Sequence, residues 1–408
     1  MTNVLSKYNP QKIHFALLIG LAILIPSGFY NFEGGIIALL LANWLFGLKG
    51  YNKLVNIPKS TILLSLFFAL YVAGLLFTSD IGGQTKAITK HLAYVLIPFS
   101  LIGFRLSETN LQMLKKAFIW CTIAFMLMAF GYAFFDYLST GKSTIYVKDS
   151  VQSKFTYYGL TRVFDDWHPT YVSFFCNLAF IFTYNIYFLR KKLLLSFLIG
   201  AVLAVSILLL NSFIGIFSFG FLVSLYFITL FKKTSIKILV SSAILALSFL
   251  FYHYNPLHFS KIEKFKKTSI SFAESKENRN ILNLRLVKWE SSYKLFLTSP
   301  VIGVTAGDYR DEVVKIYEKE GYEYAAEHRY SSHNQYLYFL ASFGIIGFIL
   351  FLAVLFYPIR YKGEISLFIF VFSLFCLTED MLLRQQGLVA FVFFYSLLQP
   401  RENGNKED

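Results

Sequence analysis

Apolar runs of about the length a helix needs to cross a hydrocarbon layer, roughly 20 residues, recur along this chain from end to end. They lie near residues 13–30, 34–48, 61–77, 91–104, 117–138, 171–189, 193–211, 213–231, 238–253, 337–357, 365–381 and 387–399. In lipid a backbone must satisfy its own N–H and C=O groups, so a chain patterned this way folds as a bundle of helices. Composition agrees: 56 % of residues are hydrophobic, 19 % aromatic and 15 % charged, outside the range of an ordinary soluble domain. The reading is an all-α integral membrane protein with about twelve transmembrane helices.

Two of the runs, 91–104 and 387–399, are short for a span, and the basic residues supply an independent check. Short cytoplasmic connections collect Lys and Arg. With the N-terminus inside, the even-numbered helices exit into Lys49, Lys53 and Lys59, then Arg105, Lys115 and Lys116, then Arg190, Lys191 and Lys192, then Lys232, Lys233 and Lys237, then Arg360 and Lys362. Omitting the helix over 91–104 would invert everything after it and put residues 190–192 outside, so twelve are kept. The same pattern explains the net charge of +14 as topology signalling spread over short turns, rather than as a nucleic-acid surface. Cys121, Cys176 and Cys376 all fall within expected spans without metal-ligand spacing and read as core packing. The first run lacks a small-residue cleavage site and is expected to begin the bundle.

On this topology the opposite face receives two long segments, 139–170 and 254–333, and function is sought there. The second contains a helix, "NRNILNLRLVKWESSYKLFLTSP", stopped by Pro300. Arg285, Lys288 and Trp289 share one face of it. Arginine suits bidentate phosphate recognition and tryptophan offers a stacking surface for sugar rings; a snorkelling arginine beside an interfacial aromatic is the alternative. Further on, "SSHNQYLYFLASFGIIG" (331–347) carries Ser332 and Gln335 in capping-box spacing, which predicts a helix from about His333. His333 and Asn334 would then occupy its first turn, where the positive helix end favours an anion and a neutral imidazole able to accept a proton. Capping of a helix at a wet interface is the alternative.

Two smaller polar clusters share that face. Arg162, Asp165, Asp166 and His168 immediately precede a helix expected near Pro169, since proline at the first turn is a helix-start signal. "LTEDMLLRQQG" (377–387) places Glu379, Asp380 and Arg384 on or just inside the edge of the bundle. Ionisable groups at that depth are functional candidates, with an internal Glu379–Arg384 ion pair as the alternative.

Taken in order, "RLVKW" (285–289), "SPVIGVTAGDY" (299–309) and "SSHNQYLYFLASFGIIG" (331–347) resemble the O-antigen ligase and O-antigen polymerase superfamily. "HPTYVS" (168–173) and "LTEDMLLRQQG" resemble the version common in the Bacteroidota branch. The resemblance implies a membrane-embedded glycosyltransferase fold of the type C kind: helices 1–9 over 1–253, a periplasmic loop over 254–333, helices 10–12 over 334–399 and a cytoplasmic tail over 400–408. It implies a metal-independent, inverting transfer of a glycan from undecaprenyl diphosphate, at the periplasmic face of the inner membrane, to lipid A-core or to another repeat unit, with no cofactor. The family's arginine falls on Arg285, which would bind the diphosphate, and its histidine on His333, which would act on the acceptor hydroxyl. Arg162, His168, Lys288, Trp289, Asn334, Glu379 and Arg384 are the accompanying substrate-binding candidates. Relatives usually carry a serine-basic pair at the turn between helices seven and eight. Here "LLNSFIGIF" (209–217) has Phe213 in the basic position, and Arg162 and then Lys288 are the candidate replacements.

The "HPTY" and "TEDML" segments favour ligase over polymerase. A transporter of lipid-linked oligosaccharide is the remaining alternative, disfavoured because no inverted repeat is visible. No metal is expected, because the outer segments lack convergent ligands; a cation on Asp165 and Asp166 is the competing possibility.

Overall fold

The computed structural model describes residues 9–50, 52, 54, 57–147, 150–164, 167–254 and 281–399. In chain order its helices are α1 (Pro10–Leu24), α2 (Glu33–Ala42), α3 (Lys59–Ala73), α4 (Ile81–His91), α5 (Ala93–Ser100) and α6 (Glu108–Thr140). An antiparallel hairpin of β1 (Thr144–Val147) and β2 (Ser150–Ser153) follows, with Thr144 opposite Ser153. Then come α7 (Tyr157–Thr161), α8 (Pro169–Thr183), α9 (Leu193–Leu210), α10 (Phe213–Leu230) and α11 (Thr234–Tyr254). The chain continues through α12 (Ile281–Thr298), α13 (Tyr309–Lys319), α14 (Glu323–Glu327), α15 (Gln335–Phe356), α16 (Glu364–Cys376) and α17 (Gln385–Leu397).

Helices thus dominate, as hydropathy requires. Among the described residues six stretches are long and apolar enough to cross a membrane: Lys59–Leu76, Glu108–Thr140, Pro169–Phe188, Leu193–Leu210, Thr234–Phe251 and Gln335–Tyr361. Pro10–Leu24, Phe213–Ile228, Glu364–Cys376 and Gln385–Leu397 are apolar but shorter. The run over 34–48 breaks into α2 and a wider turn at Asn43–Gly47, and the run over 91–104 yields only the eight residues of α5. Length therefore supports a multi-pass helical membrane protein, while the count of twelve spans draws on charge placement as well.

The chain divides into two compact units, one formed by residues 1–21, 31–111 and 268–408, the other by 22–30 and 112–267. In the second, α8 is buried along almost its whole length and packs on α9 and α10. The two backbones approach closely at Gly215, where a Cβ would fall 1.8 Å from the Ser173 hydroxyl. Asn177 bridges the same contact by donating to the Ser173 and Gly215 carbonyls. Asn211, in the left-handed region at φ 52°, closes α9. Ser212 then opens α10 in extended geometry, and Phe213 is its first residue, 39 % exposed.

The first unit holds an aromatic core in which Phe67 of α3 touches Tyr71, Tyr94, Phe339 and Phe351 with ring centroids 5.0–6.1 Å apart, within the range of favourable ring pairs. Its central feature is a break in α15. Gly344 (φ 60°, ψ −165°) interrupts the helix, freeing carbonyls above and N–H groups below. The 300–305 loop satisfies both sides. Pro300 and Val301 carbonyls accept from Ile345 and Ile346 at 2.9 and 3.4 Å, while Val304 and Thr305 donate to Ala341 and Ser342 at 3.0 and 2.8 Å. Such exchange is what allows irregular backbone beside an apolar helix. It also requires two glycines: a Cβ on Gly303 would lie 2.3 Å from the Phe343 nitrogen, and one on Gly344 2.3 Å from the Val301 carbonyl.

Candidate active site

The loop pinned into the α15 break leads directly to Asp308, whose carboxylate accepts from the Ser79 and Asp80 N–H groups and from the Thr305 hydroxyl. Gly307 N–H donates to Gln84 Oε1 at 2.7 Å. These bonds hold the start of α4 against the start of α13. At the other end of α4, Lys90 Nζ donates to the Leu383 carbonyl and His91 Nε2 lies 3.1 Å from the Leu382 carbonyl. Gln335 Oε1 accepts from Leu382 N–H at 2.6 Å. Helix α4 is therefore a strap between the 305–309 turn and the 379–384 turn, and it places Glu379 and Asp380.

Asp380 organises the residues before α15. One carboxylate oxygen accepts from the Ser332 hydroxyl (2.7 Å) and Asn334 N–H (2.9 Å), the other from the Ser331 hydroxyl (2.5 Å) and His333 N–H (3.0 Å). Charge-assisted bonds to one buried carboxylate are worth roughly twice neutral ones, and four of them fix His333 at φ 47°, a conformation that a non-glycine residue adopts only when held there. The expected capping box is corrected by this arrangement. The Ser332 hydroxyl donates to Asp380 instead of capping, the helix starts at Gln335, and Asn334 is the N-cap, its Oδ1 accepting from Tyr336 and Leu337 N–H at 3.0 and 3.2 Å. His333 sits one residue before the cap, outside the first turn.

A carboxylate now stands where the helix end was expected to act. His333 Nδ1 lies 3.1 Å from Glu379 Oε2, with the carboxylate nearly buried and the imidazole 26 % exposed. An ionised carboxylate only accepts, so Nδ1 carries the proton and Nε2 is left as the acceptor. This is the orientation a carboxylate imposes on a histidine that acts as a base. Glu379 thus pairs with His333. Arg384 is the exposed N-cap of α17.

Helix α12 supplies the cations. The Lys288 ammonium lies 3.8 Å from the centre of the Tyr330 ring, and only 5 % of the residue is exposed. Burial pushes its pKa down to about 8; Glu379 and Asp380 oppose the fall and Arg285 adds to it. Arg285 is half-buried one turn earlier, and among the described residues none hydrogen-bonds to it. Trp289 is half-buried with its Nε1 enclosed and unbonded. Ser292, one turn beyond Lys288, meets the Tyr309 hydroxyl at 2.9 Å and ties α12 to α13.

Two expected contributors lie in the other unit. Arg162 forms an ion pair with Asp136, which also holds Lys154 at 3.0 Å. His168 is buried and caps α8, its Nδ1 accepting from Thr170 N–H at 3.3 Å, with Pro169 at the first helical position as expected. Asp165 and Asp166 lie outside the described residues. Among the described residues there is no cluster of three or more metal-ligating acids, histidines or cysteines. Sequence reasoning did not single out Asp308, Lys90 or His91, whose bonds cross between distant segments, and it gave Gln335 a capping role rather than its bond to Leu382. The conspicuous signal was the pair of adjacent acids at 379 and 380.

Fold and site together define a multi-pass helical membrane protein whose basic helix faces a histidine–carboxylate pair. Residues 197–352 match the family described as O-antigen ligase, a match that supports the O-antigen ligase superfamily. The matched segment contains Arg285, Lys288, Trp289, His333 and Asn334. No curated protein matches the chain.

Proposed function

We propose that the protein is an O-antigen ligase, transferring a glycan from undecaprenyl diphosphate to lipid A-core at the periplasmic face of the inner membrane. The proposal includes twelve spans with the N-terminus inside, the 254–333 segment as a periplasmic loop, and Arg285 and His333 as the residues that act. The observation that carries it is the His333–Glu379 pair beside Arg285 and Lys288: a partly exposed base whose Nδ1 is engaged by a carboxylate, near cations suited to a diphosphate.

The chemistry then runs in one displacement. The acceptor hydroxyl attacks the anomeric carbon as the bond to the phosphate oxygen breaks on the opposite face, inverting the configuration. His333 Nε2 takes the hydroxyl proton, and Glu379 stabilises the imidazolium that forms. The electron pair leaves with undecaprenyl diphosphate, and Arg285 stabilises that charge with its planar fork. Trp289, Asn334 and Arg384 complete the substrate contacts in this reading. No step calls for a metal or cofactor.

The same site would serve a repeat-unit polymerase. Deleting the gene and resolving lipopolysaccharide on a gel separates the two: loss of all capped species with accumulated lipid-linked polymer identifies a ligase, whereas core bearing one repeat unit identifies a polymerase. The break in α15 is a feature shared with transporters. Here its backbone groups are bonded by the 300–305 loop rather than opened to a cavity, which favours the enzyme.

A further inference from the structure

The superfamily's serine-basic pair is missing at Phe213, and the first replacement considered, Arg162, is already engaged in an ion pair with Asp136. Lys288 differs in kind. Its ammonium carries three donors, yet among the described residues it has no hydrogen-bond acceptor, only the face of the Tyr330 ring 3.8 Å away. A buried cation held this way is short of an anionic partner. The acids near it are both engaged: Asp380 takes four hydrogen bonds from residues 331–334, and Glu379 binds His333. Arg285 lies one turn away on the same helix face.

We propose that Lys288 is the second phosphate-binding cation of this enzyme, its ammonium contacting the diphosphate of the lipid carrier alongside Arg285. This assignment rests on the glycosyl-transfer reading for the identity of the anion. Tyr330 has a defined part in it: the ring holds the ammonium at the site while the phosphate is absent, a placement that a cation–π contact can provide without consuming a hydrogen-bond donor.

The charge on Lys288 gives a readout that a packing role would not. The charged groups facing it are Arg285 on its own helix and Glu379 and Asp380 on the 379–384 turn, and with burial they set a transition at about pH 8. Below that pH the ammonium is charged and the diphosphate is held. Above it the charge is lost while a terminal phosphate, with a second pKa near ~6, stays fully ionised. Carrier affinity should therefore fall as pH rises from 7 to 9.5.

The test is binding of undecaprenyl diphosphate without glycan to the full-length protein in detergent, followed by Trp289 fluorescence or by calorimetry, beside a separate assay of glycan transfer. Lys288→Met should weaken binding about ten- to a hundredfold, the loss expected of one charge-assisted contact. Lys288→Arg should restore most of it and abolish the fall between pH 7 and 9.5. Wild-type affinity in Lys288→Met, or an identical pH profile in wild type and Lys288→Arg, would overturn the assignment. Should Lys288→Met fail to fold, the Lys288→Arg profile decides alone. Lys288-dependent binding of the carrier without any transfer would sink the transferase reading and leave this site standing.

Discussion

Replacing Gly344 by alanine attacks the feature that joins fold to site. The new Cβ would lie 2.3 Å from the carbon and oxygen of Val301 and 2.5 Å from Ile302 N, all backbone atoms that no rotamer change can move. The residue also sits at φ 60°, ψ −165°, a region essentially reserved for glycine and costing about 1–3 kcal/mol for other residues. Relief means expelling the 300–305 loop, with its four backbone hydrogen bonds to residues 341–346, at about 1 kcal/mol each. The total is on the order of 5–7 kcal/mol, a large part of the stability of a typical domain. Because the loop runs into Asp308 and hence into the strap that sets Glu379 and Asp380, transfer should be lost even where the protein stays folded. Thermal unfolding in detergent, with a transfer assay on the same preparation, measures both. Gly131→Ala, where nothing lies within 4 Å in the middle of α6, is the control and should be neutral or stabilising by up to about 1 kcal/mol. A Gly344→Ala protein with wild-type melting and turnover would refute the argument that loop and helix break form one unit.

Other perturbations separate the roles of the acids. Glu379→Gln keeps the shape but offers His333 Nδ1 only a neutral partner, so kcat should fall by roughly a hundredfold or more with donor affinity intact; unchanged kcat would mean that the pair only packs. Asp380→Asn turns an amide NH2 toward two of the four donors, and should destabilise by about 3 kcal/mol and release the 331–334 turn, detectable as faster amide exchange there. Arg285→Lys keeps the charge but loses the bidentate fork, and donor KM should rise at least tenfold. Transfer is expected to persist in excess EDTA; loss restored by magnesium or manganese would place a cation on Asp165 and Asp166 instead.

Much of this was legible because membrane helices announce themselves locally. Apolar runs gave the helices, Pro300 stopped α12 and Pro169 began α8, each through constraints acting within a turn. Arg285, Lys288 and Trp289 could be placed on one face from spacing alone. What escaped depended on partners far apart in sequence. The Ser332–Gln335 spacing satisfies a local capping rule, but Asp380, 48 residues from Ser332, captures the serine hydroxyl and moves the helix start. The 78–91 segment mixes polar and apolar residues without a motif, yet it straps two turns together through Asp308, Gln84, Lys90 and His91. Gly344 stands out in an apolar helix; that it accommodates a loop bearing Gly303 follows only from the packed backbone.

The central claim is that His333, held by Glu379, deprotonates an acceptor hydroxyl during displacement of undecaprenyl diphosphate. Its most direct test is a single-turnover assay of purified wild type and His333→Ala with undecaprenyl-diphosphate glycan and lipid A-core, product and released carrier being quantified together. The account expects stoichiometric transfer by the wild type, and no detectable transfer by His333→Ala although it still binds the carrier. Transfer at the wild-type rate by the alanine variant would contradict it.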